Sequence, residues 1–166
     1  MGWARFIIIT AALCSAAFSA VWFANGGPSG KASVIIPFSA PDTALKLPVD
    51  GERARFAICS RSPRINCIVD GDTFWYQGRK IRIADINTPE IGRPGCTREA
   101  RLGEQAKLRL HHLLNNRPFS LKSVDRKRDR YGRELWVVTR GGESLGDTLV
   151  KEGLAHRWNG RRENWC

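Results

Sequence analysis

Two carboxylates stand one residue apart in the segment Asp70-Gly71-Asp72-Thr73. Asp-Gly is a common hairpin turn, so the segment first predicts a turn between two strands. Carboxylate oxygens that meet at such a turn also suit a hard divalent cation, which prefers oxygen ligands. By itself the turn predicts a metal site only weakly, because it needs partners from elsewhere in the chain.

A second segment supplies a cation, further oxygen groups and a possible base. Arg82 lies in an alternating run that is typical of a strand, and Asn87-Thr88-Pro89-Glu90 follows that run. Proline restricts the residue before it to extended backbone. This can turn the Thr88 carbonyl and the Glu90 carboxylate toward a common centre. The plainer interpretation is a strand that ends in a solvated proline turn.

The third segment, residues 125–133, is a run of charges around an aromatic residue. A run of this kind usually lies in solvent. Tyr131 within the basic cluster nevertheless offers a ring on which a base can stack, and Gly132 allows close approach of a backbone. The segment is therefore a candidate for nucleotide contact.

Short strands and two helices must position these segments. Leu102, Ala106, Leu110 and Leu113 recur at helical spacing behind Thr97, a suitable N-cap. Alternating apolar residues between turn residues predict the strands. The predicted strands are residues 55–59, 65–69, 73–76, 79–86, 119–124 and 134–139, and the predicted helices are residues 97–116 and 144–153. This mixture predicts an α+β domain that contains a small barrel.

The first 24 residues are typical of an export segment. Arg5 precedes the apolar run from Phe6 to Ala24, as in a signal peptide or an N-terminal membrane anchor. Cleavage and anchoring through residues 6–24 both stay open, and either one leaves the rest of the chain outside the cytoplasm, in the periplasm or secreted. Residues 25–51 contain many glycines and prolines and predict a flexible linker. The folded domain is therefore expected at residues 52–166.

Four cysteines follow the export segment, which contains Cys14. Cys59, Cys67, Cys96 and Cys166 allow three disulfide pairings in an oxidising compartment. We prefer Cys59 with Cys67, which are close in sequence, and Cys96 with Cys166, which would fasten the end of the chain. A metal site is a weaker interpretation, since there is no Cys-x-x-Cys pair and no histidine at ligand spacing from a cysteine.

The formal net charge of +11 predicts a polyanionic partner. Clustered lysine and arginine gain free energy when they displace counterions from phosphates. Adhesion to anionic lipid, or solubility alone, are the plainer interpretations of this charge.

Together, the three segments resemble the staphylococcal nuclease (thermonuclease) family in their order and spacing. The resemblance runs from Ile65 to Ala155 and includes the Asp-Gly-Asp-Thr turn, the arginine strand that ends in Thr-Pro-Glu, the Asp-Arg-Tyr-Gly-Arg loop and the Ser-Leu…Leu-Val-x-Glu-Gly-Leu-Ala helix. It implies a five-stranded OB-type β-barrel with two packed helices, a calcium cofactor, and hydrolysis of DNA or RNA to 3′-phosphate products. We expect a monomer.

The resemblance also implies a role for each site residue. Arg82 and Arg133 would bind the non-bridging phosphate oxygens, and Glu90 would be the general base for the attacking water. Calcium would act as Lewis acid and template. The remaining roles are metal binding by Asp72, Asn87 and the Thr88 carbonyl, and nucleotide binding by Arg130 and Tyr131.

Two positions depart from the family's pattern. Asn87 stands where the family usually has an aspartate, so we expect weaker calcium binding with one negative charge fewer. Residues 156–159 replace a tyrosine-bearing stretch of the family's nucleotide pocket, and Trp158 or Trp165 are candidates for the missing ring.

Three functions are consistent with these residues. The first is an active nuclease outside the cytoplasm, and the second is a barrel that binds nucleic acid or another polyanion without turnover because of Asn87. The third is a role in the envelope or in exopolysaccharide biosynthesis, a label that some bacterial proteins of this kind carry. The presence of Glu90 and both arginines favours the first.

Overall fold

The computed structural model describes residues 49–61 and 63–166. The predicted export segment and residues 25–48 of the predicted linker lie outside the described residues. In the described part of the chain, no helix has both the length and the apolar character that crossing a bilayer requires.

Nine strands and two helices make up the described residues. In chain order they are β1 (Ala57–Ile58), β2 (Cys67–Ile68), β3 (Thr73–Tyr76), β4 (Arg79–Ile83), β5 (Ile86–Asn87), α1 (Thr97–Asn116), β6 (Ser120–Arg128), β7 (Glu134–Arg140), β8 (Glu143–Ser144), α2 (Leu145–Lys151) and β9 (His156–Arg157). This mixed content confirms the predicted α+β class.

Seven strands form one mixed sheet. Its order is β1-β2-β3-β4-β7-β6, with β8 added beside β7, and β5 pairs with β9 in a second, two-stranded sheet. The β1–β2 and β4–β7 pairs are parallel, and the others are antiparallel. A single bridge between Glu52 and Phe119 joins the segment before β1 to the start of β6. No strand ladder of the described residues joins β6 back to β2, so closure into a five-stranded barrel stays a prediction.

The core lies between the seven-stranded sheet and the two helices. Strand β3 buries Phe74 and Tyr76, and Phe119 packs edge-on against Tyr76 with 5.5 Å between ring centroids. Leu110 of α1 and Leu149 of α2 are fully buried in the same cluster. Burial of such large apolar side chains is the main favourable term in folding, at about 1.5–3 kcal/mol each.

Helix α1 begins one residue away from its predicted start. Thr97, predicted as the N-cap, is the first helical residue, and Cys96 is the N-cap with no side-chain cap hydrogen bond. The Glu99 carboxylate instead accepts the backbone N–H of Gly95 at 2.6 Å and that of Glu90 at 3.2 Å. The prediction failed because this carboxylate satisfies backbone donors that a threonine cap would otherwise have to serve.

Several predicted strands have different bounds in the structure. The strands predicted over residues 55–59 and 65–69 are shorter, at Ala57–Ile58 and Cys67–Ile68. The strand predicted over residues 79–86 ends at Ile83, and Ile86–Asn87 instead pairs with His156–Arg157. The strand predicted over residues 119–124 continues to Arg128, because its pairing with β7 resumes beyond an irregularity between Ser123 and Arg128. Helix α2 agrees with its predicted start, since the Ser144 hydroxyl accepts the Gly146 N–H at 3.0 Å.

Two disulfides join cysteines of the described residues, and both are the preferred pairs. Cys59–Cys67 joins residues eight apart in sequence, with Cα atoms separated by 4.8 Å. Cys96–Cys166 joins the residue before α1 to residue 166, across a sequence separation of 70.

Candidate active site

The Asp72 carboxylate is the hub of a buried polar cluster. Its Oδ2 atom forms an ion pair with Arg82 and accepts the Thr88 backbone N–H at 3.1 Å. Its Oδ1 atom accepts the Thr73 hydroxyl at 3.0 Å. Gly71 makes this packing possible, because a Cβ there would lie 2.5 Å from the Cβ of Ala106 and 2.8 Å from Thr88 Cγ2. The acidic turn is thereby held against the Thr-Pro-Glu loop.

The Arg82 guanidinium is fixed by the backbone as well as by Asp72. Strand pairing places Arg82 opposite Thr73, next to the acidic turn. Its Nη1 donates to the Ile83 carbonyl at 3.2 Å and its Nη2 to the Ile86 carbonyl at 3.0 Å. A planar guanidinium held on several sides keeps one orientation, which suits recognition of a tetrahedral anion.

Arg133 reaches the same cluster from the β6–β7 connection. Its Nη1 donates to the Thr73 hydroxyl at 3.2 Å, and its Nε donates to Asp129 Oδ2 at 2.7 Å. Burial alone would raise the pKa of Asp129, but hydrogen bonds from Arg133 and from the Tyr131 and Arg133 backbone outweigh it and lower the pKa. Thr73 therefore links the Arg133 side chain to the Asp72 carboxylate that Arg82 contacts.

Both arginines line one open cavity of about 950 Å³. Tyr131 and Trp158, which are 68% and 42% exposed, present their rings to it. Arg130 Nη2 donates to the Tyr131 hydroxyl at 2.7 Å. The cavity is basic and aromatic, and its other lining residues include Ala84, Asp85, Val124, Leu135, Gly160 and Arg162.

Glu90 lies beside this cavity and contacts one of its lining residues. Its carboxylate forms an ion pair with Arg162, and its side chain is 41% exposed. Its backbone N–H donates to Glu99, in the first turn of α1. Glu90 thus joins the cavity through Arg162 and makes no ion pair with Arg82 or Arg133.

The three predicted metal-binding residues are buried close together. Asp72, Asn87 and Thr88 are 7%, 4% and 4% exposed, and Thr88 contacts Asp72 directly. Within the described ranges, the hydrogen bonds do not use the Asn87 side chain. No group of three or more histidine, cysteine, aspartate or glutamate side chains in those ranges is arranged to hold a metal ion.

A second carboxylate, that of Asp70, lies next to the cluster, and its pKa is affected by the charge of Asp72. Asp70 accepts the Asp72 backbone N–H at 3.1 Å. Burial, and then the neighbouring Asp72 charge, raise the pKa of Asp70 to about 7. Carboxylate, amide and backbone carbonyl oxygens are the donors that calcium takes. The donor types therefore fit a hard cation, with Asp72 as the one fixed carboxylate of the predicted set and Arg82 already paired to it.

The sequence offers two candidates for the ring that the family's tyrosine would supply. Trp158 and Trp165 were equal candidates for the missing ring, and the structure separates them. Trp165 is buried and stacks on His156 with 3.8 Å between centroids, whereas the Trp158 ring lies 6.0 Å from Arg82 Cζ. No sequence pattern predicts a role for Arg162, because it lies in a segment without periodicity. The nearby Cys166, expected to fasten the end of the chain, is the one signal that this segment lies close to α1.

The chain matches known proteins over the part that carries these residues. Residues 80–164 match the family described as staphylococcal nuclease homologues. Asp70 and Asp72 precede the matched residues, so the match includes the arginines and Glu90 but not the acidic turn.

Three curated relatives have nuclease names. Endonuclease YncB of Bacillus subtilis (strain 168) is 38% identical over 92 residues, which are 52% of this chain and 43% of the relative. SPbeta prophage-derived endonuclease YokF of the same organism is 39% identical over 92 residues, 52% of this chain and 31% of the relative. Thermonuclease of Staphylococcus hyicus is 32% identical over 92 residues, 53% of this chain and 54% of the relative.

Each match thus covers about half of this chain and less than two thirds of the relative. The family match alone spans 85 of the 166 residues and includes both cavity arginines. The chain belongs to the staphylococcal nuclease family.

Proposed function

We propose that this chain is a calcium-dependent nuclease that hydrolyses phosphodiester bonds in DNA or RNA. The observation that carries the proposal is the convergence of Arg82 and Arg133 on one cavity, joined through Thr73 to the Asp72 carboxylate. Two fixed guanidinium groups beside an acidic cluster suit a phosphate that gains negative charge in the transition state. The nuclease names of the three relatives point the same way.

In the proposed reaction, Arg82 and Arg133 bind the non-bridging oxygens of the scissile phosphate. Glu90 accepts a proton from water as the water oxygen bonds to phosphorus. The bond from phosphorus to the 5′ oxygen breaks, and that oxygen takes up a proton from solvent. The products are a 3′-phosphate end and a 5′-hydroxyl end, so atoms and charge balance without an oxidant or reductant.

Asp72, Asn87 and the Thr88 carbonyl would hold the calcium ion. Bound calcium supplies positive charge beside the phosphate oxygens. Because Arg82 is paired with Asp72 in the structure, calcium and the Arg82 guanidinium would share this carboxylate.

The exposed rings favour a single-stranded substrate. Tyr131 and Trp158 are exposed rings that line the cavity, and the Arg130 guanidinium lies 4.8 Å from the centre of the Tyr131 ring. Unstacked bases gain free energy on aromatic faces without regard to sequence, whereas bases in a duplex keep their faces covered. We therefore propose that the enzyme prefers single strands and has little sequence preference.

We also propose that the enzyme works outside the cytoplasm. The apolar run at residues 6–24 supports export as a cleaved or anchored protein. Two disulfides within a small domain are typical of proteins that fold in an oxidising compartment.

A cleavage assay with the full chain tests the proposal. Single-stranded DNA and RNA are incubated with calcium and then with a chelator, and the ends of the products are analysed. We expect calcium-dependent cleavage to 3′-phosphate ends. Glu90→Gln should lower kcat by about 100- to 10,000-fold and leave measurable residual activity, whereas Glu104→Gln, at an exposed glutamate of α1 paired with Lys107, should be unaffected. Absence of calcium-dependent cleavage of both substrates would refute the proposal.

One observation favours a second candidate function. Asn87 is neutral and buried in the metal-binding set, so the site has less negative charge than a trio of carboxylates. A protein that binds nucleic acid without turnover would show salt-sensitive binding to single-stranded DNA and no cleavage. The same assay, read for binding as well as for products, distinguishes the two.

A further inference from the structure

Residues 158–166, here called the closing segment, form a fastened wall of the cavity. The Trp158 backbone N–H donates to the Asp85 carbonyl at 2.8 Å. At the other end, Trp165 is buried against His156 and Cys166 is bonded to Cys96. The segment is thus held at both ends by contacts that do not involve the charged residues between them.

Arg162 lies between these two anchors and contacts Glu90. Its Nη1 donates to Oε1 of the Glu90 carboxylate. Glu90 Oε2 takes part in none of the hydrogen bonds within the described residues. An ionised carboxylate has about four acceptor positions, so the contact with Arg162 leaves Oε2 free to accept a proton.

The backbone and the side chain of Glu90 are therefore both held by residues outside its own loop. Glu99 accepts its backbone N–H, and Arg162 holds its carboxylate. Arg162 also lines the cavity in which Arg82 and Arg133 lie. Glu90 thus contacts a residue of the cavity wall through one carboxylate oxygen and keeps the second oxygen available.

We propose that Arg162 is a positioning residue that orients the Glu90 carboxylate for proton abstraction. The inference rests on the proposed nuclease function and adds to it a residue from the closing segment. Correct placement of a reacting group is worth large factors in rate, and displacement by about 1 Å can cost about a hundredfold.

Stability alone does not account for this ion pair. Arg162 and Glu90 side chains are 61% and 41% exposed, and exposed pairs contribute little to the free energy of unfolding. The disulfide and the buried Trp165 already hold the closing segment. Removal of Arg162 should therefore leave the segment in place and release the Glu90 side chain.

The test compares three variants of the full chain with the wild type. Arg162→Ala should lower kcat by about 10- to 100-fold, while the affinity for single-stranded DNA, measured with calcium chelated, stays within about threefold of that of Arg161→Ala. Arg161 is the matched control, since it is the neighbouring exposed arginine and does not line the cavity. Arg162→Lys should recover part of kcat, because a lysine can still pair with Glu90 as a point charge.

A double-mutant cycle then shows whether Arg162 acts through Glu90. Residual kcat should be the same for Glu90→Gln with Arg162 and for Glu90→Gln with Arg162→Ala, because the side chain to be positioned is no longer a base. A further fall of more than about threefold in the double variant would mean that Arg162 acts elsewhere, and would overturn the proposal.

Two other outcomes would also overturn it. If Arg162→Ala cleaves at the rate of Arg161→Ala, Glu90 needs no positioning by Arg162. If Arg162→Ala weakens binding and leaves kcat unchanged, Arg162 contacts the substrate instead. Both outcomes require that the wild type is active. An inactive wild type would be a different result, which would refute the nuclease function and this inference with it.

Discussion

The inner and outer walls of the cavity are built in different ways. The inner wall consists of Arg82 on β4, which lines the cavity, backed by Asp72 and Thr73 at the start of the neighbouring strand; these side chains are buried and joined by polar contacts. The outer wall consists of Tyr131, Trp158 and Arg162 on connecting segments, with exposed side chains and few partners. The inner wall is therefore suited to holding charge in one fixed place, and the outer wall to adapting to a flexible strand of nucleic acid.

The largest expected effect comes from breaking the inner wall at Arg82. Arg82→Ala should lower kcat/KM by about 100- to 1,000-fold, because a fixed donor to the developing phosphate charge is lost. It should also lower the free energy of unfolding by about 3 kcal/mol, because Asp72 stays buried without its cation. Cleavage and chemical denaturation measure the two effects.

The control for Arg82 is Arg79→Ala on the same strand. Arg79 pairs with Glu134 and is 38% exposed in its side chain, so its loss should change both quantities little. Arg82→Lys should keep more stability than Arg82→Ala and still lose most activity, since one ammonium cannot replace a fixed guanidinium fork. Equal losses at Arg79 and Arg82 would contradict the special role of the inner wall.

The rings of the outer wall should contribute to binding rather than to chemistry. Trp158→Ala and Tyr131→Ala should each weaken binding of single-stranded DNA by about 1–3 kcal/mol, the usual worth of one stacked base. Tyr131→Phe should bind nearly as the wild type does, because the ring is kept. Fluorescence titration with calcium chelated measures the affinity. If either alanine variant changed kcat and left the affinity unchanged, its ring would contribute to the chemical step instead of to binding.

Asn87 offers a way to strengthen the inner wall. Asn87→Asp adds a negative charge to a buried set of oxygen ligands, so the calcium concentration for half-maximal activity should fall about tenfold. In chelator the same variant should be less stable than the wild type, because the ion pair of Asp72 with Arg82 then has a second buried negative charge beside it and no calcium. Thermal unfolding with and without calcium checks both. An unchanged calcium requirement would exclude Asn87 from the metal site.

The smallest expected effect comes from the ion pair between Asp129 and Arg133, whose contribution to stability disappears in acid. The lowered pKa of Asp129 means that its pairing with Arg133 stabilises the protein above the usual carboxyl pKa of 3.8, and this contribution is lost as the pH falls through the lowered value. Asp129→Asn should therefore be about 1 kcal/mol less stable than the wild type at pH 5–7. The difference should shrink below about pH 4. A difference that grows in acid would have the wrong sign for this mechanism.

The sequence predicted the inner wall better than the outer one. Asp72 and Thr88 lie in short turns whose local chemistry fixes their backbone, and Arg82 lies on a strand with clear alternation. The class of fold, both preferred disulfides and the start of α2 are likewise found in the structure.

The remaining features depend on contacts between distant parts of the chain. Arg162 meets Glu90 across 72 residues, and no local pattern marks that pairing. The start of α1 differs from its prediction for a local reason, since Glu99 accepts backbone donors that lie four and nine residues before it. Local propensity describes single turns well, but it does not show which turns come together.

The Cys96–Cys166 bond encloses α1, the β6–β7 hairpin and α2 in one covalent ring. The exposed connection at residues 130–132 lies inside that ring and follows several arginines, which are cleavage points for trypsin-like proteases. A cut there would open the polypeptide without separating its pieces, so the nicked protein would migrate as one band until a reductant was added. Exported as proposed above, the protein would keep Arg82 and Arg133 on one molecule even after such damage.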